Sequence, residues 1–200
     1  MNVLCLVAHA DDEALFCGGL LAAVCKTNCG LTRIVAWKSP AECNAITDNP
    51  EREVARQCNR ITAFGRSCAK VSQLQPFFSL TGWGAFGLGV TITHGATGEY
   101  GHPDHIELHR LTESHPLPKV HFATESTGTH RILVDWSIKQ AMLDCYRYGC
   151  TRTREWNPHD NPAYLPWLGE YEYYTADSAA SAIMTEILGG EWETHNAMNG

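Results

Sequence analysis

The sequence predicts an α/β fold, a three-layer α/β/α sandwich around a mostly parallel, Rossmann-like sheet. Short apolar stretches alternate along the chain with stretches of helical periodicity, as in βαβ units. With 200 residues, of which 44% are apolar, the chain is long enough for one large core. Polar residues follow directly after two predicted strands, where parallel sheets place their binding sites. We therefore expect a single domain, 1–200, with a frayed tail at 191–200.

The N-terminal part predicts strand, helix and strand in that order. The apolar run Asn2–Ala8 predicts a buried strand, and the spacing of apolar residues over Ala14–Lys26 predicts a helix. Gly18 and Gly19 lower the helix propensity there, so we expect close packing at that pair. Leu31–Trp37 predicts the second strand.

The remaining elements follow from apolar periodicity and from turn and cap residues. Asn49 and Pro50 are typical N-cap and first-turn residues of a helix that runs to about Phe64. Further strands are predicted at 69–74, 90–93, 119–124, 131–134 and 170–175, helices from Pro103 and over 135–148 and 178–188, and loops at 38–49, 76–88, 97–101 and 151–169.

Composition narrows the class of protein. The net charge is −7 and only five residues are lysine, which disfavours a broad nucleic-acid surface. No apolar run approaches a membrane span, and no basic segment precedes the first strand, so we expect no transmembrane segment or signal peptide. An odd number of cysteines, nine, scattered through core-like positions favours reduced thiols in a cytoplasmic protein. The sequence leaves open whether the chain forms a homo-oligomer.

One imidazole and three carboxylates, His9, Asp11, Asp12 and Glu13, follow the first strand abruptly. Such a group at the end of a buried strand is costly unless it is paired, and a metal ion is one such partner. A second cluster, from His94 to His105, contains glycines at 95, 98 and 101 that permit tight turns. Pro103 starts a helix there, which puts His102 and His105 on one face.

These two clusters can supply a hydrolytic metal site. Such a site needs about three protein ligands and an open position for water, and His9, Asp12 and His105 can provide the ligands. Asp11 is then free to act as the base that takes a proton from water. His102, if protonated, could stabilise an oxyanion or protonate a leaving amine. Zn²⁺ is expected, with Fe²⁺ as the alternative, because these nitrogen and oxygen ligands do not select strongly.

The two motifs resemble the PIG-L/LmbE-like family of zinc-dependent N-acetylglucosaminyl deacetylases, over about 1–149. The first motif of that family, Ala-His-Pro-Asp-Asp-Glu, matches 8–13 except for Ala10, and its Gly-His-Pro-Asp-His motif matches 101–105 fully. The resemblance implies an LmbE-like fold, with His9, Asp12 and His105 as metal ligands, Asp11 as base and His102 as stabiliser or acid. Arg52 resembles an arginine that holds substrate hydroxyl or phosphate groups, although a solvated helix charge is an equal alternative.

Three departures from the family pattern bear on specificity. The usual Pro is Ala10, a His-x-Ser-Gln stretch is replaced by 145–148, and the aromatic segment 156–174 has no counterpart. Glu13 and Asp104 are either helix-start charges or partners that orient the ligand histidines. His94 is expected to be a structural residue at a strand end.

We therefore expect a zinc-dependent deacetylase of an N-acetylated amino sugar or its conjugate, with this small molecule as its partner. One alternative is a deacylase of another N-acyl amine, such as a modified nucleoside or a thiol conjugate. The other is a silent sugar- or nucleotide-binding protein. Asp11 argues against the silent protein, because binding alone needs no base.

Overall fold

The computed structural model describes residues 2–9, 11–27, 33–36, 88–113, 116–144 and 157–196. Within these ranges one seven-stranded sheet has the order β2-β1-β3-β4-β6-β5-β7. Its strands are β1 (Asn2–Val7), β2 (Arg33–Ala36), β3 (Leu88–Thr93), β4 (Lys119–Ala123), β5 (His130–Leu133), β6 (Tyr171–Ala176) and β7 (Glu193–Thr194). The first four strands are parallel, whereas β6, β5 and β7 pair antiparallel at one side.

The described helices connect and cover this sheet. They are α1 (Asp12–Lys26), α2 (Gly98–Gly101), α3 (Pro103–Glu113), α4 (Trp136–Asp144) and α5 (Ser178–Leu188). Short 3-10 turns lie at Pro158–Asp160, Pro162–Trp167 and Gly189–Glu191. None of the helices in the described ranges is long and apolar enough to cross a membrane.

The centre of the sheet is covered on both faces. Val3, Cys5 and Val7 of β1 join one hydrophobic cluster with α1, α4 and α5. Leu4 and Leu6, which alternate with them and point to the opposite face, are equally buried. Burial on both faces requires a layer on each side of the sheet. The three-layer α/β/α sandwich with a parallel centre that the sequence predicts is thus confirmed.

Helix α1 bends in its middle, at the predicted glycine pair. Cys17 leaves helical geometry with φ −143° and ψ 24°, which frees backbone N–H groups of the next turn. The Glu172 carboxylate of β6 accepts hydrogen bonds from two of these, Gly19 N at 2.8 Å and Leu20 N at 2.9 Å. A Cβ on Gly19 would lie 3.0 Å from the Glu172 carboxylate, and one on Gly18 would lie 3.1 Å from Lys139. The expected close packing is confirmed.

A buried ion pair completes this junction. Lys139 of α4 donates to the Glu172 carboxylate at 2.7 Å and to the Trp167 carbonyl at 2.8 Å. Tyr174 donates to the other Glu172 oxygen at 2.6 Å. Both Lys139 and Glu172 are almost completely buried, at 0% and 1% side-chain exposure. Glu172 of β6 accepts two hydrogen bonds from α1 and one from α4, so the network fixes α1, α4 and β6 together.

Some elements differ from the prediction. The segment 97–101, predicted as a loop, contains the helical turn α2, and the predicted loop 151–169 contains two of the 3-10 turns. Residues 193–194, placed in the expected frayed tail, pair with β5 as β7, because β5 offers an open edge to backbone hydrogen bonds. The predicted helix 50–64, the strand 69–74, Arg52, Ala10 and 145–148 lie outside the described residues.

Candidate metal centre

The predicted site residues meet where the strand order reverses. β1 is flanked by β2 and β3, so the carboxyl ends of β1 and β3 border the crevice at which parallel sheets bind ligands. His9 follows β1, and Asp11 and Asp12 lie at the start of α1. The chain after β3 continues through α2 into α3, which carries His105. The fold therefore brings together two motifs that are about 90 residues apart in the sequence.

Three donor atoms form a nearly equilateral triangle in this crevice. His9 Nδ1 lies 3.4 Å from Asp12 Oδ2, and His105 Nε2 lies 3.4 Å from the same oxygen. The two nitrogens are 3.2 Å apart. A zinc ion with ligands at 2.0–2.1 Å in tetrahedral geometry would separate its ligands by about 3.3–3.4 Å. The His/Asp/His group is therefore compatible with a metal site that keeps a fourth position open.

Each imidazole of the triangle is oriented by a carboxylate on its other nitrogen. His9 Nε2 lies 3.1 Å from Asp104 Oδ2, and His105 Nδ1 lies 2.6 Å from Glu99 Oε2. A carboxylate there accepts the ring N–H and leaves the lone pair of the facing nitrogen directed into the triangle. This arrangement is typical of histidines that bind metals in proteins.

Glu99 joins His94 and His105, the two ends of the second cluster. Its carboxylate contacts His94 Nδ1 at 2.6 Å, His105 Nδ1 at 2.6 Å and the backbone N–H of Gly95 at 2.8 Å. These contacts lower the pKa of Glu99, although burial alone would raise it. Glu99 is also the one non-glycine residue with positive φ, 58°, in the described part of the chain. Strain of this kind persists where the surroundings hold a residue in place, often at functional sites.

His94 is close enough to be considered as an alternative ligand. Its Nε2 lies 3.3 Å from Asp12 Oδ2, and donor atoms of Asp12, His94 and His105 all lie within 4.8 Å of one another. However, His94 Nε2 accepts a hydrogen bond from the Ala8 N–H at 2.9 Å, and its Nδ1 is held by Glu99. Because both nitrogens are occupied and the ring is fully buried, His94 fits a structural role, as expected from the sequence.

The Asp12 carboxylate is held in its charged form. Burial would raise its pKa, but the hydrogen bond with His9 and the nearby imidazoles of His94 and His105 outweigh burial and hold that pKa well below the usual range. The His9 backbone N–H also donates to Asp12 Oδ2 at 2.7 Å. A permanently ionised oxygen is what a divalent cation requires.

Asp11 directly precedes the ligand candidate Asp12 in the chain and is half-buried. Its carbonyl accepts the first hydrogen bonds of α1, but its side chain makes no capping hydrogen bond. Asp11 is therefore the N-cap residue of α1 without capping it through its side chain. Glu13 is buried in the first turn of α1.

His102 borders the same crevice with a defined orientation. Its ring lies 4.7 Å from those of both His9 and His105, centroid to centroid. Burial and the two neighbouring imidazoles lower the pKa of His102, which favours the neutral ring. The Asp104 N–H donates to His102 Nδ1 at 3.2 Å, so the single proton of that neutral ring lies on Nε2. The protonated form of His102, which the sequence analysis required for its role, is therefore disfavoured. The Nε2–H of the neutral ring can still donate a hydrogen bond.

The predicted tight turns around this cluster are confirmed. Gly98 and Gly101 have φ of 64° and 85°, a region that favours glycine. A Cβ on Gly95 would lie 2.6 Å from the Phe122 carbonyl oxygen. These glycines let the chain fold back so that Glu99 and His105 meet.

The aromatic C-terminal segment forms one wall of the crevice, which sequence reasoning missed. Tyr164, in the 3-10 turn Pro162–Trp167, packs edge-on against Tyr100 with ring centroids 5.5 Å apart. Burial raises the pKa of Tyr164, and the charges of Asp11 and Asp12 raise it further. Trp167 packs edge-on against Phe16 at 5.1 Å and anchors the turn. No pattern in 156–174 signals this contact, because it depends on long-range packing.

Glu99 is the second residue that the sequence prediction missed. A weak signal was available, since Glu99 lies between the two histidines it contacts, within the glycine-rich turn. Its acceptor geometry depends on the positive φ, which sequence spacing does not indicate.

Comparisons with known proteins place this geometry in context. No protein-family model matches the sequence, and no curated protein matches it significantly. Among solved structures, a triple mutant of a deacetylase involved in the teicoplanin biosynthetic pathway matches with TM-score 0.55 and 14% identity, over 89% of this chain and 99% of that chain. The zinc-inhibited form of the teicoplanin deacetylase Orf2 matches with TM-score 0.54 and 13% identity over the same shares, 89% and 99%.

A third structure extends the similarity to another source. The conserved protein TT1542 from Thermus thermophilus matches with TM-score 0.53 and 18% identity, over 72% of this chain and 78% of that chain. At these identities the similarity concerns the fold. The chain therefore has the fold of these deacetylases, the LmbE-like fold that its resemblance to the PIG-L/LmbE-like family predicts.

Proposed function

We propose that this protein is a metal-dependent hydrolase that removes the acetyl group from an N-acetylated amino sugar or its conjugate. The observation that carries the proposal is the triangle of His9 Nδ1, Asp12 Oδ2 and His105 Nε2, with edges of 3.2–3.4 Å and a carboxylate behind each imidazole. The shared fold with deacetylases that act in teicoplanin biosynthesis supports the same reaction class.

Zn²⁺ is the proposed metal, with Fe²⁺ as the alternative, held by His9, Asp12 and His105. When bound, such an ion polarises an acetamide carbonyl and makes water more acidic. Asp104 and Glu99 support the ligands by accepting from His9 Nε2 and His105 Nδ1. Glu13, buried in the turn that carries Asp12, is proposed as a further supporting carboxylate.

Asp11 is proposed as the general base. It lies between the proposed ligands His9 and Asp12 in the chain and is half-buried, so its carboxylate can reach water and take a proton from it. The same proton can then pass to the departing nitrogen, so that the C–N bond breaks to give amine and acetic acid and Asp11 returns to its carboxylate form. The acid proton then moves to the amine, and the products are acetate and a protonated amine.

His102 is proposed to stabilise the developing oxyanion. Its Nε2–H is the donor in the neutral ring, because Nδ1 accepts from the Asp104 N–H. A fixed donor that reaches the developing negative charge lowers the barrier by stabilising the oxyanion. Its lowered pKa makes hydrogen-bond donation a better role for His102 than proton transfer to the amine.

The substrate proposal combines the family resemblance with the two tyrosines, Tyr100 and Tyr164. Tyr100 and Tyr164 present aromatic surface beside Asp11, and sugar rings commonly pack against such surfaces. Arg52 remains a proposed contact to substrate hydroxyl or phosphate groups.

A deacetylation screen tests the function. Metal-loaded protein is incubated with free, lipid-linked, nucleotide-linked and thiol-linked N-acetylglucosamine, and with other N-acyl amines, and released acetate is measured. Turnover of an acetylated sugar supports the proposal. If only the other N-acyl amines are hydrolysed, the protein is a deacylase of a different substrate class. If a sugar or nucleotide binds but no acetate is released, the protein is a binding protein without catalytic activity.

Two substitutions test the roles proposed for Asp11 and His105. Asp11→Asn should lower kcat by about 100- to 10,000-fold through loss of the base, while leaving bound metal unchanged. His105→Ala should lose metal as measured by elemental analysis. Full turnover in the Asp11 variant would refute the base assignment, and unchanged metal content in the His105 variant would refute the ligand set.

A further inference from the structure

A second group of nitrogen and oxygen donors lies outside the candidate site. His109 and Glu113 are on α3, one helical turn apart and therefore on one face, and His121 lies on the neighbouring strand β4. One donor atom from each of the three residues lies within 4.8 Å of the others. His121 Nε2 is 3.5 Å from Glu113 Oε1, and the two imidazole centroids are 4.8 Å apart. Two imidazoles and one carboxylate are the donor types that zinc accepts.

The two imidazoles of this group are oriented by one backbone atom. The carbonyl oxygen of His94 lies 3.0 Å from His109 Nδ1 and 2.8 Å from His121 Nδ1. A carbonyl only accepts, so each ring carries its proton on Nδ1 and keeps the lone pair of Nε2 free for a metal. Metal-binding histidines are oriented in the same way, by a hydrogen bond from the ring nitrogen that does not bind the metal. Here the acceptor is a backbone carbonyl instead of a carboxylate.

Charge and exposure also suit a cation. Burial lowers the pKa of His121, so its ring is neutral near pH 7 and competes little with protons for a metal. Glu113 is exposed, with 53% of its side chain accessible, whereas His121 is largely covered at 16%. The group therefore combines oriented nitrogens with a carboxylate that can swing in from solvent and leave a position for water.

We propose that His109, Glu113 and His121 form a second binding site for a divalent transition metal of the zinc class, separate from His9, Asp12 and His105. Its ligands share no residue with the first triangle. The two sites are linked through His94, whose carbonyl orients the second site and whose ring contacts Asp12. Binding at the second site needs neither turnover nor an intact first site.

The experiment measures Zn²⁺ stoichiometry and affinity in full-length protein by equilibrium dialysis and by competition with a chromophoric chelator. Wild-type protein should bind one more equivalent of Zn²⁺ than Glu113→Gln. If the variant still binds this second equivalent, its affinity should be at least about tenfold lower, because losing even a residue that only supports a metal ligand lowers metal affinity by that factor. Glu113→Gln suits this test because the residue is exposed and both histidine hydrogen bonds to His94 remain. Glu186→Gln, an exposed glutamate on α5, is the matched control and should behave as wild type.

A second pair of variants separates the two sites. Asp12→Asn should lose the equivalent assigned to the first triangle and retain the one that depends on Glu113. His121→Phe should reproduce the loss seen in Glu113→Gln. Equal stoichiometry and affinity in wild type, Glu113→Gln and His121→Phe would overturn the second site. That result would leave the proposed deacetylase intact, and failure of the deacetylase screen would leave the second site intact.

Discussion

His102 shows how the surroundings of one residue define its chemistry. Its sequence position permits a protonated acid or a neutral donor, and the structure favours the donor. Burial and the nearby imidazoles of His105 and His9 disfavour the imidazolium, and the Asp104 N–H fixes the proton of the neutral ring on Nε2. The position of His102 in the fold therefore favours a neutral ring at pH 7.

We expect the pKa of His102 to lie below 6.5, the ordinary histidine value. Protonation is disfavoured in the folded chain, so this residue stabilises the fold above pH 6.5 and loses that contribution as pH falls through the folded-state pKa. An NMR titration of the imidazole Cε1–H, assigned with His102→Gln, measures the pKa directly. A midpoint at or above 6.5 would contradict the proposed neutral donor.

Glu99 offers a test of ligand orientation. Replacing it with Gln puts an amide where two ring N–H groups, on His94 and His105, need an acceptor. We expect Glu99→Gln to lower metal affinity at the first triangle by about 10- to 100-fold. Glu107→Gln, on an exposed position of α3, is the control for charge. Equal affinity in both variants, measured by chelator competition, would show that Glu99 does not position His105.

Among the elements, α1 depends on the junction that follows its bend. Its bend at Cys17 exposes N–H groups that Glu172 satisfies, and Lys139 neutralises Glu172. Breaking a buried pair by removing one partner leaves an uncompensated charge, which costs about 3–5 kcal/mol. The first turn of the same helix carries Asp12, so the junction also holds one side of the metal triangle.

We expect Lys139→Met to lower the free energy of unfolding by about 3–5 kcal/mol, a Tm decrease of about 6–20 °C for a chain of this size. The matched control is Lys26→Met, which removes the exposed Lys26–Asp135 pair. Lys26→Met should lower the free energy of unfolding by no more than about 1 kcal/mol. Thermal unfolding followed by circular dichroism compares the two, and similar Tm values for both variants would count against the buried network.

Across the whole molecule, a metal would bridge two distant parts of the chain. His9 and Asp12 follow the first strand, whereas His105 belongs to α3, after β3. A ligand that binds only the folded state stabilises it by mass action, by about 4 kcal/mol at a thousandfold excess over Kd. Metal bound at the proposed site would therefore be coupled to the stability of the fold.

Chelation should reveal this coupling. At such an excess of Zn²⁺, we expect Tm to exceed that of the chelator-treated protein by about 8–16 °C. Asp12→Asn should lose most of the shift, because it removes the ionised oxygen shared by both imidazoles of the triangle. A shift of wild-type size in that variant would mean that the stabilising metal binds elsewhere.

Much of the fold was accessible from the sequence because its signals are local. Apolar runs such as Asn2–Val7 and turn residues such as Gly98 and Gly101 act through neighbouring residues, and they predicted the strands, the helices and the tight turns. The pairing of residues 193–194 with β5 was not accessible, since two residues carry no periodicity and an open strand edge is a property of the assembled sheet.

By itself the sequence determined the parallel α/β class and limited the chemistry that the two motifs can be proposed to have, because residue types and short spacings limit what can bind and react. Only the tertiary structure decided how these groups are arranged. It satisfied both nitrogens of His94 through Ala8 and Glu99, and left lone pairs of His9 and His105 facing Asp12. It also brought Tyr164 to the crevice. Contacts across such distances along the chain depend on how the layers pack, which no local pattern encodes.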